Sequence, residues 1–148
     1  PTSSRRGKRR PSRRERRADV IDCARDWYIE SIPDLPGVAG ALVSETRGLV
    51  FTSDRGENTV SVFSPGDEQN AFKIAVGVKP NGLAFDPARG ILIAANVGDP
   101  SIADSYSVSV VDLGKRERIA EVKVPGHIKK GDKVKIRVED GEFLGRIN

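Results

Sequence analysis

Gly40–Gly66 reads GALVSETRGLVFTSDRGENTVSVFSPG, and Gly82–Gly114 reads GLAFDPARGILIAANVGDPSIADSYSVSVVDLG. The second stretch repeats the first. Gly40 matches Gly82, Gly48 matches Gly90 and Asp54 matches Asn96, all at an offset of 42. A six-residue insertion within Pro100–Ser107 moves the register to 48, where Val60-Ser61-Val62 matches Val108-Ser109-Val110 and Gly66 matches Gly114. Apolar and polar residues alternate in both copies, the period-2 mark of a strand with one buried face. Turns rich in Gly, Asp and Asn separate the alternating runs.

The repeat predicts eight strands. In Gly37–Val76 they are Ala41–Ser44, Leu49–Ser53, Thr59–Phe63 and Ala71–Val76. In Gly77–Val124 they are Leu83–Phe85, Ile91–Ala95, Ser107–Val111 and Ile119–Val124. Residues 18–36 read as the second half of a unit. Val20-Ile21-Asp22 lies over Val110-Val111-Asp112, and Tyr28–Ile32 lies over Arg118–Val122. A helix over Asp19–Ser31 competes, but the β-branched and aromatic residues suit strands, and Pro33 and Pro36 close the segment. Val60, Val62, Val108 and Val110 are expected to face a buried layer between units, with Ser61 and Ser109 pointing the other way. Lys133–Val138 and Glu142–Ile147, joined at Glu139-Asp140-Gly141, read as a hairpin outside the repeat.

A repeat of this length built from short alternating strands is the pattern of β-propeller blades. The expected fold is all-β, with about two and a half four-stranded antiparallel units over residues 18–126. An Arg-rich arm, residues 1–17, precedes them, and a C-terminal β-hairpin, residues 127–148, follows. The units resemble the YVTN β-propeller family through Arg55-Gly56-Glu57-Asn58-Thr59-Val60-Ser61-Val62, Lys79-Pro80-Asn81-Gly82-Leu83-Ala84-Phe85-Asp86-Pro87 and Val108–Asp112. The family's signature is degenerate here, as Val50-Phe51-Thr52-Ser53 and Ile93-Ala94-Ala95-Asn96. The resemblance implies a scaffold shared by binding proteins, surface proteins and parts of redox enzymes, so it assigns no activity. Gly131-Asp132-Lys133-Val134 with Asp140-Gly141-Glu142-Phe143 is similar to the KOW hairpin of ribosomal and transcription proteins.

The formal net charge of +4 conceals a segregation. Residues 1–17 carry Arg5, Arg6, Lys8, Arg9, Arg10, Arg13, Arg14, Arg16 and Arg17 against Glu15, whereas the remainder is net acidic. With no apolar residue beyond its prolines, the arm cannot offset its ordering entropy and is expected to be disordered alone. Its nine basic residues are candidates for weak polyanion contact, nucleic acid or an acidic membrane surface. A solvated linker and a targeting signal are the competing readings, the latter lacking an apolar segment. No stretch approaches the roughly 20 apolar residues of a membrane span. The compartment is unreadable. Cys23 is the only cysteine and is expected to pack.

Propeller topology gathers the loops before strand 1 and between strands 2 and 3 at one end. That end would collect Asp54, Asn58, Lys79, Asn81, Asn96 and Asp99 as ligand-binding candidates. The competing reading is that Asn and Asp there serve their own turns. A calcium site from Asp99 and Asp104 fits oxygen-ligand chemistry but no loop motif. His127 is the only histidine, and no nucleophile–base pair, haem-attachment motif or phosphate-cradling loop is present. No cofactor and no catalysis are expected. The first reading is a non-catalytic binding module. The alternatives are a fragment or subunit of a propeller enzyme, and a nucleic-acid-associated protein using the arm. A ring typically needs about 4–8 blades, so self-association or further blades of a longer protein are expected partners.

Overall fold

The computed structural model describes residues 16–124 and the two strands Lys133–Ile136 and Phe143–Ile147. Every element of note is a strand. β1 (Ala18–Asp22) and β2 (Trp27–Ile32) form an antiparallel hairpin. β3 (Val38–Ser44), β4 (Leu49–Asp54), β5 (Thr59–Phe63) and β6 (Phe72–Ala75) form one four-stranded meander. β7 (Pro80–Asp86), β8 (Ile91–Asn96), β9 (Ser107–Asp112) and β10 (Glu117–Lys123) form a second. β11 (Lys133–Ile136) and β12 (Phe143–Ile147) pair with each other. One turn of 3-10 helix, Glu68–Asn70, lies between β5 and β6.

The all-β expectation holds, and all eight strands of the repeat form. β3 and β7 begin three residues earlier than expected. Asp19–Ser31 is a hairpin and not a helix. Its turn closes on the Asp22 carboxylate, which accepts from the Ala24 and Arg25 amides at 2.9 and 3.3 Å. Residues 1–15, His127 and the turn Glu139-Asp140-Gly141 lie outside the described residues. So do Arg5, Arg6, Lys8, Arg9, Arg10, Arg13 and Arg14.

The β3–β6 sheet is the middle layer. One face presents Phe51, Val60, Val62 and Ile74 to Leu92, Ala94 and Val111 of the β7–β10 sheet. The Phe51 and Phe85 ring centroids stand 4.7 Å apart across this junction. Each such side chain removed from water contributes about 1.5–3 kcal/mol. Gly40 is required by the same contact, since a Cβ there would collide with the Asn81 carbonyl oxygen. The opposite face puts Phe63 and Val50 against Ile32, Leu35, Ala18 and Val20 of the first hairpin and its exit.

Val60 and Val62 are buried, as expected, and Ser61 points the other way. Val108 and Val110 correct the expectation. They are only half-buried, while Ser107, Ser109 and Val111 are buried. Alternation decides which residues share a face; burial depends on whether another layer covers it. The second sheet turns its Ser109 and Val111 side to the middle layer, and Ile93, Val108 and Val110 belong to neither apolar cluster. Cys23, expected to pack, is exposed on the hairpin turn.

Candidate functional site

The meander brings the loops after β2, β4, β6 and β8 to one end, as backbone hydrogen bonds record. Arg55 donates to the Gly37 carbonyl at 3.1 Å and Gly56 to Pro36 at 2.8 Å. Val97 donates to Lys79 and Gly98 to Val78, both at 3.0 Å. Lys79 is the junction. Its amide donates to Asn58 Oδ1 at 2.8 Å, and its Nζ donates to Asp99 Oδ2 at 2.6 Å. Asn58 and Lys79 both adopt left-handed backbone, with φ of 59° and 54°. That conformation is costly for lysine and more natural for asparagine.

The Lys79 ammonium, and then the Ser101 hydroxyl and amide, hold the Asp99 carboxyl well below the usual carboxylate range. Ser105 Oγ accepts from the Asp99 amide and donates to the Asp99 carbonyl, both at 2.8 Å, closing the loop on itself. Of the six sequence candidates, Asn58, Lys79 and Asp99 are thus linked directly. Asn81 lies exposed in β7 beside them, and its carbonyl accepts from Ser53 Oγ at 2.8 Å.

Asp54 and Asn96 do not reach solvent. Asp54 is fully buried and accepts from Thr52 Oγ1 at 3.0 Å and Ser61 Oγ at 2.6 Å. Burial pushes its pKa up, against the pull of the Ser61 and Thr52 hydroxyls. Asn96, its repeat counterpart, donates from Nδ2 to Ser107 Oγ and Ser109 Oγ, both at 2.9 Å. Its Oδ1 is buried with no hydrogen-bond partner. Ser109 Oγ also accepts from the Gly77 amide at 3.0 Å, tying the linker between the sheets to this cluster. Both groups organise the interior and are not placed to touch a ligand.

A cleft of about 370 Å³ opens between the Ile32–Leu35 segment and the β5–β6 region, with Ser61 and Lys73 among its lining residues. Lys73 bridges the cleft by donating to the Glu57 carboxylate and to the Asp34 carbonyl. Sequence reasoning missed it. The available signal was the polar residue in Phe72-Lys73-Ile74, a charge interrupting an apolar strand. Near the basic arm, Arg17 pairs with Asp19 at 3.1 Å, and the Arg16 carbonyl accepts from the Leu35 amide at 2.9 Å. Among the described residues, no group of three or more His, Cys, Asp or Glu is placed to hold a metal ion. No helix among them is long and apolar enough to cross a membrane.

The fold and its junctions define an all-β protein of stacked antiparallel meanders. The protein-family model "Elongation factor P, C-terminal" matches residues 117–146. No curated protein matches. The fold is similar to that of a solved chain of Kuenenia stuttgartiensis hydrazine synthase, with a TM-score of 0.70 and 14% sequence identity. That likeness covers 88% of this chain and 42% of the other. This chain therefore spans less than half the length of the solved one. At such identity the likeness concerns the fold alone.

The YVTN propeller repeat is corrected by these findings: the family model that matches is Elongation factor P, C-terminal, over residues 117–146 alone, and the strand repeat establishes all-β antiparallel sheets. The physical reason lies in the motifs themselves. Val108–Asp112 and Arg55–Val62 carry β-branched alternation and a Gly/Asn turn, which any antiparallel strand-and-turn unit requires. They determine sheets, not a family. The matched segment begins within the β-meander, at β10, and extends through β11 and most of β12.

Proposed function

We propose that this chain is a non-catalytic binding module that takes its ligand at the loop end around Lys79. The supporting observation is the junction itself. One lysine in left-handed backbone is tied by its amide to Asn58 and by its ammonium to Asp99. Local strain held in place by several partners is characteristic of functional loops. Asn58, Lys79, Asn81 and Asp99 are the contacting groups in this reading, with Asp54 and Asn96 supporting the sheets behind them. Chemical-shift mapping with mixed small carboxylates, sugars and peptides tests it. Perturbations should cluster at these four residues and vanish in Lys79→Ala. Clustering at Ser61 and Lys73 would transfer the site to the cleft.

A second reading is RNA association. It is supported by the Elongation factor P, C-terminal match over 117–146 and by the nine basic residues of 1–17. Binding to RNA should then fall steeply with salt and drop on deletion of residues 1–15. Salt-independent or absent binding would exclude it.

A further inference from the structure

Among the described residues, two apolar faces of the stack are covered by no other sheet. On the outer face of β7–β10, register sets Ala84, Ile93, Val110 and Ala120 side by side across the four strands. Ala95, Val108 and Val122 form the next row, in which Val122, on the edge strand, is already buried. At the opposite end, the first hairpin leaves Ile21 50% and Tyr28 60% exposed, with Trp27 and Ile29 beside them at 68% and 57%. Ile21 pairs with Tyr28 across the hairpin, so the two share its outer face. The Tyr28 hydroxyl lies 2.9 Å from Ser31 Oγ, which donates to Asp19 at 2.6 Å along the same face. Contiguous apolar surface of this kind marks interaction sites.

Each end matches one side of a junction already formed inside the molecule. Val108 and Val110 are the repeat counterparts of Val60 and Val62, which the back of the β7–β10 sheet covers. Val111, fully buried, is on that back together with Leu92 and Ala94. Ile21 is the counterpart of Val111, and Asp19 the counterpart of Ser109, at an offset of 90. The hairpin's outer face is therefore the same kind of surface that covers Val60 and Val62 within one chain.

We propose that a second copy of this chain docks head to tail, its β1–β2 outer face lying on the β7–β10 outer face of the first. Ile21 and Tyr28 of one copy then cover Ile93, Val108 and Val110 of the other, extending the internal junction between molecules. This inference goes beyond ligand binding at Lys79 and does not rest on it. The two surfaces differ, so the contact is heterologous and leads to a closed ring or an open filament.

Sedimentation velocity of the full chain across a wide concentration range tests it. Mass should rise with concentration. Ile21→Glu and Val110→Glu should each abolish self-association. Mixed together they should form a dimer and nothing larger, because one intact end of each remains. A monomer at every concentration overturns the proposal. So does self-association that survives Ile21→Glu, since that would be a symmetric pairing of β7–β10 faces. Should Val110→Glu fail to fold by circular dichroism, Ile21→Glu added to the wild type keeps the test open: it should cap growth, and unaltered assembly would refute the docking.

Discussion

Val60-Ser61-Val62 and Val108-Ser109-Val110 are the same tripeptide in the third strand of successive sheets, yet their surroundings differ. The first pair of valines is sealed between two sheets, whereas the second is half-buried on an outer face. Their serines are buried alike, one holding the Asp54 carboxylate and the other the Gly77 amide and the Asn96 side chain. Identical local sequence thus gives identical strands and identical facing. Burial is conferred by the neighbouring layer, and so is most of the energy.

The largest expected contrast lies between Phe51 and its counterpart Ile93. Phe51→Ala should cost about 3–5 kcal/mol, because the ring is sealed against Phe85 and the site cannot collapse. Ile93→Ala at low protein concentration should cost under about 2 kcal/mol, since Ile93 is only partly buried and belongs to neither apolar cluster. Urea denaturation measures both, and equal losses would break the comparison.

Gly40 and Gly82 sharpen it. Gly40→Ala should destabilise by about 1–3 kcal/mol, as the new methyl meets backbone that cannot retreat. Gly82→Ala should stay within about 0.5 kcal/mol, for its Cβ would meet only the Ala95 methyl at 3.8 Å. Thermal melts of the two variants provide the check.

Two carboxylates extend the contrast to pH. Burial raises the folded pKa of Asp54 above 3.8. The native state therefore holds this proton more tightly than the unfolded chain does, and stability falls as pH rises from 3.8 through the raised value. Asp54→Asn removes that slope, so the variant should gain on the wild type with rising pH. Asn96 shows that an amide fits the equivalent position. Asp99 has the opposite sign. Its lowered pKa makes a contribution that is present above 3.8 and lost as pH falls. Lys79→Met should therefore give a small loss at neutral pH that disappears in acid, the smallest effect of the series because the pair is surface-exposed. Denaturation curves across the pH range resolve both slopes.

Much of the fold was legible in the residues. Glycine, asparagine and aspartate turns at fixed spacing bounded all eight strands of the repeat. Pro33 and Pro36, with β-branched neighbours, kept Asp19–Ser31 out of a helix. The loop end was half legible: topology gathered Asn58, Lys79 and Asp99, but spacing gave no sign that a lysine amide and ammonium would link them. Asp54 and Asn96 were placed at that end because they close strands. Each side chain in fact turns into the sheet, where hydroxyls from Thr52 and Ser61, or Ser107 and Ser109, satisfy it. Lys73 was overlooked because its partners, Glu57 and the Asp34 carbonyl, come from other elements.

The sequence by itself determined the strands, their order, their turns and which residues share a face, because these follow from period-2 alternation and from local turn chemistry. Only the tertiary structure decided which faces are covered, which buried acid rises in pKa, and where Lys79 finds its partners. Those properties depend on residues distant in the chain, and a periodic pattern carries no information about what lies across from it.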